Sequence, residues 1–526
     1  MRGFTGQLPP ARFNMADYCL GVSQARKPAK TALLVLRDAD NPVVTESWSY
    51  AELEDAVLRV AHGLLDAGHA PGERLVIRLD NTSDYALLFF GAIAAGLVPL
   101  PASAALSARE VEFVLRDCGA SGIAVTPSLP VGDIPSGIRV FEPGDIARLR
   151  TRSDRGRFAD TARDDPAFLV YTSGTTASPK GVLHAQRSVW GRRPMYRGWY
   201  GIGPHDRMLH AGAFNWTYTL GTGLSDPWAN GATSIVFTDE KDPALWLRII
   251  QNHQPTIFAG VPSVYRQLLK YGDVEAHDLS SLRHGLTAGE HLPEAVIDDW
   301  VRRSGGVKLY EALGMSELST FISSSPDVPP RQGAVGKAQQ GRDVAIIPVD
   351  GGEEPLPPGE TGLIAAHRSD PGLMLRYWER PDEQEGVFRG DWFIGGDLGV
   401  MDADGYITHG GRNDDIMNAL GYRVSPNEIE EVLAVHPAVA ESAVTEIAVR
   451  ADLSVIGAFI VLREGVAASA AEIRDHAARS LASYKVPKEY VFLPELPHTP
   501  NGKVKRAELR RSYAERASPG GARRSL

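Results

Sequence analysis

The residues with the clearest chemical potential form one short segment, which reads YTSGTTASPKG from Tyr171 to Gly181. It combines hydroxyl side chains and glycines with one lysine, Lys180. Hydroxyls, backbone N–H groups freed by glycine and an ammonium all donate hydrogen bonds, so such a loop can surround a phosphate. It is not a Walker A loop, because Lys180 follows a proline, precedes a glycine and lies six residues after Gly174. A Ser/Thr/Gly-rich surface linker is the competing interpretation.

The elements around this loop must position it. The apolar residues 167–170 just before it predict a buried strand, so we expect the loop at a strand's carboxyl end, where open α/β sheets bind ligands. Strand-like and helix-like patterns alternate on both sides, which predicts parallel sheets covered by helices. The first 320 residues are expected to form two α/β layered subdomains. The segments are SYAELEDAVLRVAHGLLDAG, RLVIRL, SGIAVT, GATSIVFT, ALWLRIIQNHQ, TIFAGVP and SVYRQLL.

The pattern changes near Arg342, where short strand-like segments separated by Gly, Pro and Asp predict a small β-rich subdomain. Alternation returns later, and Ser425, Pro426 and Glu428 predict the start of a helix. We therefore expect an α/β fold with a large N-terminal domain at 1–413 and a smaller α/β C-terminal domain at 414–526. The small, basic end of the chain, from about residue 511, is expected to be disordered.

Composition narrows the function classes. The 526 residues carry 55 Lys plus Arg against 65 Asp plus Glu, a net charge of -10 that argues against a nucleic-acid-binding protein. The only cysteines, Cys19 and Cys118, exclude a disulfide framework, and Cys118 falls on the apolar face of a helix that Ser107 and Glu110 are predicted to cap. The longest apolar run, from Tyr85, is broken by glycine and proline. We expect a cytoplasmic protein without a membrane span.

Five segments together resemble the adenylate-forming superfamily of acyl-CoA synthetases, nonribosomal-peptide adenylation domains and firefly-type luciferases. They occur in the family's order across more than 300 residues, which makes the linker interpretation of the first loop untenable. Two departures are Ala177, where the family usually has glycine, and Met417, where many relatives have lysine. The segments are the loop itself, YEALGMSE at 310–317, FIGGD at 393–397, GRNDDIMNALGYRVSPNEIE at 411–430 and LPHTPNGKVKR at 496–506.

The resemblance implies an AMP-forming carboxylate–CoA ligase that uses ATP, Mg²⁺ and coenzyme A. A carboxylate would attack the α-phosphorus of ATP to give an acyl-adenylate and pyrophosphate, and the acyl group would then form a thioester with coenzyme A. Negative charge develops on phosphate oxygens, so positioned cations and donors should carry the catalysis. The C-terminal domain would be mobile between the two half-reactions.

The resemblance also assigns residues to these roles. Pyrophosphate-side oxygens fall to Thr172, Ser173, Gly174, Thr175, Thr176 and Lys180, the α-phosphate to Ser316, and Mg²⁺ to Glu317 with Thr172. Asp397 would accept hydrogen bonds from the ribose hydroxyls, Arg412 would support the ribose or a phosphate, and Glu311 would lie near the adenine amino group. Gly289, Glu290 and Ala312 are implied as further cofactor-binding residues. Lys503 is the implied catalytic lysine, Asp414 the hinge, and Gly421 and Arg423 the coenzyme A contacts.

Each of these residues also has a plainer interpretation when taken alone. Glu317 could be a solvated acid and Lys503 a solvated tail lysine. Asp397 and Asp414 could belong to plain turns. Arg412 could form a hinge salt bridge.

The acyl pocket implied by the resemblance includes Trp216, Tyr218, Ala288 and Gly314. Gly314 stands where acetate-restricted relatives have tryptophan, so a larger acid is expected. Trp216 and Tyr218 could line the pocket or simply pack in the core. No aspartate is placed near Trp216 to anchor an α-amine, which argues against an amino-acid adenylation domain. We expect a medium-chain aliphatic or an aromatic monocarboxylate.

Two other functions stay open at this level. One is a stand-alone adenylating enzyme that loads an acyl carrier protein. The other is a non-catalytic nucleotide- or acyl-binding protein, against which Glu317, Asp397 and Lys503 argue together. The expected partners are the acid, ATP and coenzyme A, with a monomer or homodimer as the assembly.

Overall fold

The computed structural model describes residues 3–172, 179–239, 242–290, 292–413, 417–419, 422–450, 453–483, 485–499 and 504–517. The helices of this part of the chain are α1 (Met15–Arg26), α2 (Tyr50–Asp66), α3 (Ser83–Ala94), α4 (Ala108–Asp117), α5 (Pro143–Arg150), α6 (Arg193–Met195), α7 (Thr217–Leu220), α8 (Asp226–Ala229), α9 (Leu245–His253), α10 (Pro262–Tyr271), α11 (Glu294–Arg303), α12 (Pro381–Gly386), α13 (Pro426–Ala434), α14 (Ala470–Ser480) and α15 (Arg506–Ala517).

The strands are short and number more than the helices. In chain order they are β1 (Thr31–Arg37), β2 (Val43–Ser49), β3 (Arg74–Arg78), β4 (Val98–Pro101), β5 (Ala120–Val125), β6 (Arg139–Phe141), β7 (Pro166–Thr172), β8 (Lys180–Ala185), β9 (Arg207–His210), β10 (Thr233–Phe237), β11 (Ile257–Gly260), β12 (His284–Ala288), β13 (Leu309–Met315), β14 (Ser319–Ser323), β15 (Gly336–Ala338), β16 (Val344–Ile347), β17 (Thr361–His367), β18 (Arg376–Tyr377), β19 (Phe388–Arg389), β20 (Trp392–Met401), β21 (Tyr406–Arg412), β22 (Met417–Ala419), β23 (Tyr422–Val424), β24 (Val439–Arg450), β25 (Leu453–Leu462) and β26 (Glu489–Phe492).

One large mixed sheet organises the N-terminal part. Its parallel half has the order β13-β12-β11-β9-β10-β1, with β2 antiparallel at the edge. Its antiparallel half continues from β13 through β14, β15, β21, β20 and β17 to β16. The β-rich segment expected after Arg342 is thus joined to the large sheet by the β15–β21 pair. This continuity places the strands of Asp397 and Glu311 in one sheet.

A second, four-stranded parallel sheet has the order β4-β3-β5-β6. The predicted α/β layering of the first 320 residues is confirmed. The predicted capping box at Ser107 is formed, and Ser49 forms a second one at the start of α2. The apolar run from Tyr85 forms α3, which is buried along its whole length. Among the described helices, none is both long and apolar enough to cross a membrane.

The hydroxyl-rich loop lies in a different setting from the one expected. It connects β7 to β8, which pair antiparallel in a three-stranded sheet of order β18-β8-β7. The loop follows the carboxyl end of a strand, β7, as predicted, but the sheet is antiparallel and not an open parallel α/β sheet. The return strand begins at Lys180, so the connection is a hairpin and needs no helical crossover.

The C-terminal part has its own core. Its sheet has the order β24-β25-β26, and α13 and α14 pack with it through a cluster that includes Ile429, Ile456 and Ile473. The expected disorder from about residue 511 is wrong for 511–517, because α15 continues to Ala517. Leu509 is 2% exposed and Tyr513, one turn later, packs beside it, so an otherwise charged helix has a small apolar face.

Candidate active site

The predicted phosphate-binding residues Thr172 and Lys180 belong to the paired strands β7 and β8. Thr172 and Lys180 are opposite each other in the strand pair. The Lys180 ammonium lies 2.8 Å from the Glu383 carboxylate and 4.5 Å from the centre of the Tyr377 ring. The connecting residues, which include the predicted Ser173, Gly174, Thr175 and Thr176, lie outside the described residues.

Ser316 and Glu317 follow β13 and face this hairpin. Glu317 Oε1 accepts a hydrogen bond from the Tyr377 hydroxyl at 2.7 Å. The Ser316 carbonyl accepts one from His184 Nε2 at 2.8 Å. Burial lowers the pKa of His184 to about 4, so this imidazole is neutral at pH 7 and donates from Nε2. Both site residues are therefore held by side chains from other strands.

The backbone just after Glu317 is strained. Ser319 has a φ of 69°, a left-handed value that is unfavourable for serine. Its hydroxyl accepts a hydrogen bond from Arg192, which pairs with the buried Asp226 at 2.6 Å. Strain of this kind persists only where surrounding contacts impose it, and here the buried ion pair does so.

Asp397, the predicted ribose carboxylate, borders the same cavity as Glu317. Asp397 in β20 is paired in register with Arg412 in β21, and the Arg412 guanidinium lies 3.8 Å from Asp397 Oδ2. His409 Nε2 donates to Asp397 Oδ1 at 3.0 Å, and Arg412 donates to the Gly395 carbonyl at 2.5 Å. Asp397 is thus an oriented, mostly buried carboxylate, which a plain turn would not require.

Four other predicted cofactor-binding residues come from two neighbouring parallel strands. Gly289 and Glu290 follow β12, and Glu311 and Ala312 lie in β13. The Leu292 N–H donates to Glu311 Oε1 at 3.3 Å. The N–H of Val504, from the C-terminal part, donates to Glu290 Oε1 at 3.1 Å. Val504, the residue that follows Lys503 in the sequence, therefore lies at the cavity.

The predicted acyl residues divide into two groups. Trp216 and Gly314 line the open cavity, whereas Tyr218 and Ala288 are buried behind this wall and pack in one cluster. A Cβ built on Gly289 would lie 3.0 Å from the Trp216 ring, so the indole reaches across to β12. The Tyr218 hydroxyl, on a side chain 8% exposed overall, has no hydrogen-bond partner among the described residues.

Gly314 borders the cavity and also lies against the backbone of the neighbouring strand β14. A Cβ built there would lie 2.6 Å from the Ser319 carbonyl oxygen and from Thr320 Cα in β14. Real Cβ atoms do not approach backbone that closely, so a larger residue would have to move β14. The expectation that this glycine simply opens the pocket is incomplete.

Most of the predicted site residues border one open cavity of about 1870 Å³. Residues from three regions converge on it: Thr172 and Lys180 from the hairpin, residues of the large sheet including Glu317 and Asp397, and Glu441, His498 and Val504 from the C-terminal part. Its size accommodates a nucleotide and an acid together, since ordinary ligand pockets are about 300–1,000 Å³.

Two protein-family models match this chain and identify its family. Residues 22–378 match the model described as AMP-binding enzyme, and residues 428–503 match that of the AMP-binding enzyme C-terminal domain. The chain belongs to the AMP-binding enzymes. The stretch between the two matches contains Asp397 and Arg412, whose placement comes from the structure itself.

Relatives of this AMP-binding enzyme match it over nearly its whole length. It is 30% identical to an uncharacterized acyl–CoA ligase of Bacillus subtilis (strain 168), with 96% of this chain and 97% of the relative covered. It is 32% identical to the benzoate–CoA ligase of Thauera aromatica, with 95% and 96% covered. Among solved structures, an anthranilate CoA ligase in complex with anthranoyl-AMP matches with a TM-score of 0.84 at 30% identity, covering 96% and 98% of the two chains.

A benzoate CoA ligase from Burkholderia xenovorans LB400 matches with a TM-score of 0.85 at 27% identity, covering 95% of this chain and 100% of the other. The predicted relation to the adenylate-forming superfamily, and to its aryl and medium-chain members in particular, is confirmed.

Several functional positions of the AMP-binding enzyme stay predictions. Asp414, Gly421 and Lys503 lie outside the described residues, and so does Ala177. Arg423 is the central residue of β23. The hinge, the coenzyme A contacts and the catalytic lysine therefore rest on the sequence motifs.

Sequence reasoning missed four side chains that the structure brings to the site: His184, Tyr377, Glu383 and His409. Each one contacts a predicted residue and was not itself predicted. His409 could have been found, because its strand must pair with the GGD segment and a histidine there can donate to a carboxylate. The other three come from strands or helices whose pairing the sequence does not reveal.

Proposed function

We propose that this protein activates a medium-chain aliphatic or aromatic monocarboxylate with ATP and transfers the acyl group to coenzyme A. The observation that carries the proposal is the shared cavity, in which phosphate-side, ribose-side and acyl-side residues meet. Membership of the AMP-binding enzymes supports activation of the acid by ATP. The relatives named as benzoate–CoA and acyl–CoA ligases support coenzyme A as the acyl acceptor and an aromatic or aliphatic acid as the substrate.

In the first step a carboxylate oxygen of the acid bonds to the α-phosphorus of ATP, and the bond to pyrophosphate breaks. The negative charge that moves to the leaving oxygens lies near Lys180 and Thr172. Lys503, from the C-terminal part, is proposed to add a second cation in this step. In the second step the coenzyme A sulfur, as thiolate, attacks the acyl carbon and AMP leaves. Preorganised cations act mainly through electrostatic stabilisation of such transition states.

The residues at the phosphate end fit Mg²⁺. The Glu317 carboxylate and the Thr172 hydroxyl border the same cavity, and Mg²⁺ is usually bound by one or two carboxylates together with substrate phosphates. Within the described ranges no cluster of three or more His, Cys, Asp or Glu side chains could hold a metal ion. Bound Mg²⁺ would neutralise phosphate charge.

The acyl end favours an acid that is larger than acetate. Trp216 borders the cavity, and its ring lies nearly perpendicular to the Tyr218 ring with centroids 5.6 Å apart. Behind Trp216, the Tyr218 hydroxyl has no hydrogen-bond partner among the described residues, which costs free energy for a buried group. After a small shift of Trp216 it could hydrogen-bond to a polar substituent on the ring of an aromatic acid. Hydroxy- and amino-substituted benzoates therefore belong in the test beside plain acids.

The proposal is tested by pyrophosphate release with acetate, hexanoate, octanoate, benzoate, 3-hydroxybenzoate and anthranilate, with and without coenzyme A. We expect release with at least one C6 or larger acid, and thioester only when coenzyme A is present. Glu317→Gln should lose release, whereas Glu360→Gln, at an exposed site, should not. Absence of acid-dependent release across the panel would reject the function. Transfer to a phosphopantetheinylated carrier protein but not to coenzyme A would establish the carrier-loading alternative.

A further inference from the structure

Lys180, the lysine of the predicted phosphate end, forms an ion pair with Glu383. Glu383 lies on α12, which follows β18, and its carboxylate is 2.8 Å from the Lys180 ammonium. The side chains are 17% and 32% exposed, so the pair is partly screened from water. Lys180 is also one of the residues that border the cavity, together with Thr172 and Tyr377.

Glu383 is aimed at Lys180 by its surroundings. Tyr377, directly before the segment that leads into α12, lies with its ring 4.5 Å from the Lys180 ammonium. The Gln384 side chain accepts the Tyr377 N–H at 2.9 Å, which ties α12 to β18. Arg380, just before α12, is paired with Asp117 at 2.7 Å. The geometry therefore couples Glu383 to the lysine of the loop.

We propose that Glu383 is a counter-ion of Lys180 that the phosphates of ATP must replace, so that Glu383 lowers the affinity for ATP. The inference rests on the proposed function only in taking Lys180 as a phosphate ligand. An ammonium held by a carboxylate offers less charge to a phosphate, and the carboxylate itself repels the nucleotide. When the competent state is only partly populated, the apparent dissociation constant rises by the inverse of that fraction.

The expected change in ATP affinity follows from the strength of such ion pairs. Exposed ion pairs contribute little, and partly buried ones contribute more because water and salt screen them less. We expect Glu383→Gln to bind ATP about three- to tenfold more tightly than the wild type, which is the range that an ion pair of this exposure allows. Higher salt should reduce the difference between the two proteins.

The experiment is isothermal titration calorimetry of ATP with MgCl₂ and without any acid, so it does not depend on knowing the substrate. Glu385→Gln is the matched control, since it removes the same charge from an exposed position on the same helix. Its dissociation constant should equal that of the wild type. Adenosine, which lacks phosphates, should bind Glu383→Gln and the wild type equally.

A double mutant isolates the pair. In a Lys180→Ala background, Glu383→Gln should improve ATP binding by clearly less than it does in the wild type. The inference is overturned if Glu383→Gln binds ATP no more tightly than wild type, or if adenosine binding changes equally. If the wild type binds ATP but no acid in the panel supports pyrophosphate release, the proposed function fails while the inference about Glu383 stands. If the wild type binds no ATP, both fail.

Discussion

The bond between Glu290 and Val504 predicts that one substitution can separate the two half-reactions. Glu290 Oε1 accepts the Val504 N–H at 3.1 Å, and Val504 directly follows Lys503 in the chain. Arg266 lies 3.8 Å from Glu290 and 3.7 Å from Glu441 in β24, so it bridges the same boundary. Glu290→Ala should therefore weaken the arrangement that brings the C-terminal part to the cavity.

The magnitude can be worked out from the contact. A hydrogen bond to a charged group contributes roughly 1.5–3 kcal/mol net, and the Glu290 side chain is 18% exposed, which favours the lower half of that range. A loss of about 1.5–2 kcal/mol corresponds to roughly 10- to 30-fold in rate, since about 1.4 kcal/mol is tenfold. Acyl-adenylate formation should fall by this factor in Glu290→Ala and by less in Glu290→Gln, which keeps an acceptor oxygen.

The assay measures each half-reaction alone. Single-turnover pyrophosphate release reports adenylation, and thioester formation from a supplied acyl-adenylate with coenzyme A reports the second step. Only adenylation should slow, because the second step is proposed to use another position of the C-terminal domain. Glu360→Ala, at an exposed site, is the control. Equal loss in both half-reactions, or unchanged adenylation, would refute the reasoning.

The other groups of the site have different expected signatures. Lys503→Ala should cost adenylation roughly 3–4 kcal/mol, while thioester formation from a supplied acyl-adenylate survives in rapid-quench assays. Asp397→Asn should raise KM for ATP at least about tenfold with KM for the acid unchanged, in steady-state kinetics. Tyr377→Phe keeps the ring but removes the hydroxyl that donates to Glu317, the proposed Mg²⁺ ligand, so a Mg²⁺ titration of ATP binding should shift severalfold to higher concentration. The Glu441 hydrogen bond raises the pKa of His498 above 6.5, so the stability it adds is full below that pH and is lost as pH rises through the raised value. Urea unfolding of His498→Gln and wild type from pH 5 to 9 should therefore converge at high pH.

The sequence predicts the residues that would touch a ligand better than the residues that hold them. Lys180, Glu317 and Asp397 stand in segments whose types and spacing already suggest phosphate, metal and ribose contacts, and the structure brings all three to one cavity. Their supports, such as Tyr377 and His409, belong to ordinary strand segments. A side chain of this kind becomes visible only when strand pairing is known, because pairing decides which residues are neighbours.

Gly314 borders the cavity as predicted, but space for a substrate is only part of the reason for a glycine here. From the sequence, the missing side chain predicts space for a larger acid. The register of β13 and β14 shifts at this point, which brings the backbone of Thr320 and Ser319 against the glycine. Strand pairing alone would therefore disfavour any side chain here, whatever the substrate.

The large sheet is curved, and this curvature brings segments that lie far apart in the sequence to one cavity. Strands β13 and β20 are four places apart in the sheet order, so a flat sheet with a spacing of about 4.8 Å would separate them by about 19 Å. A Cβ built on Gly395 of β20 would nevertheless lie 2.4 Å from Met315 Sδ at the end of β13. The antiparallel half must therefore curl back over the end of the parallel half. This curl carries Asp397, two residues beyond Gly395, to the cavity that Glu317 borders, two residues beyond Met315.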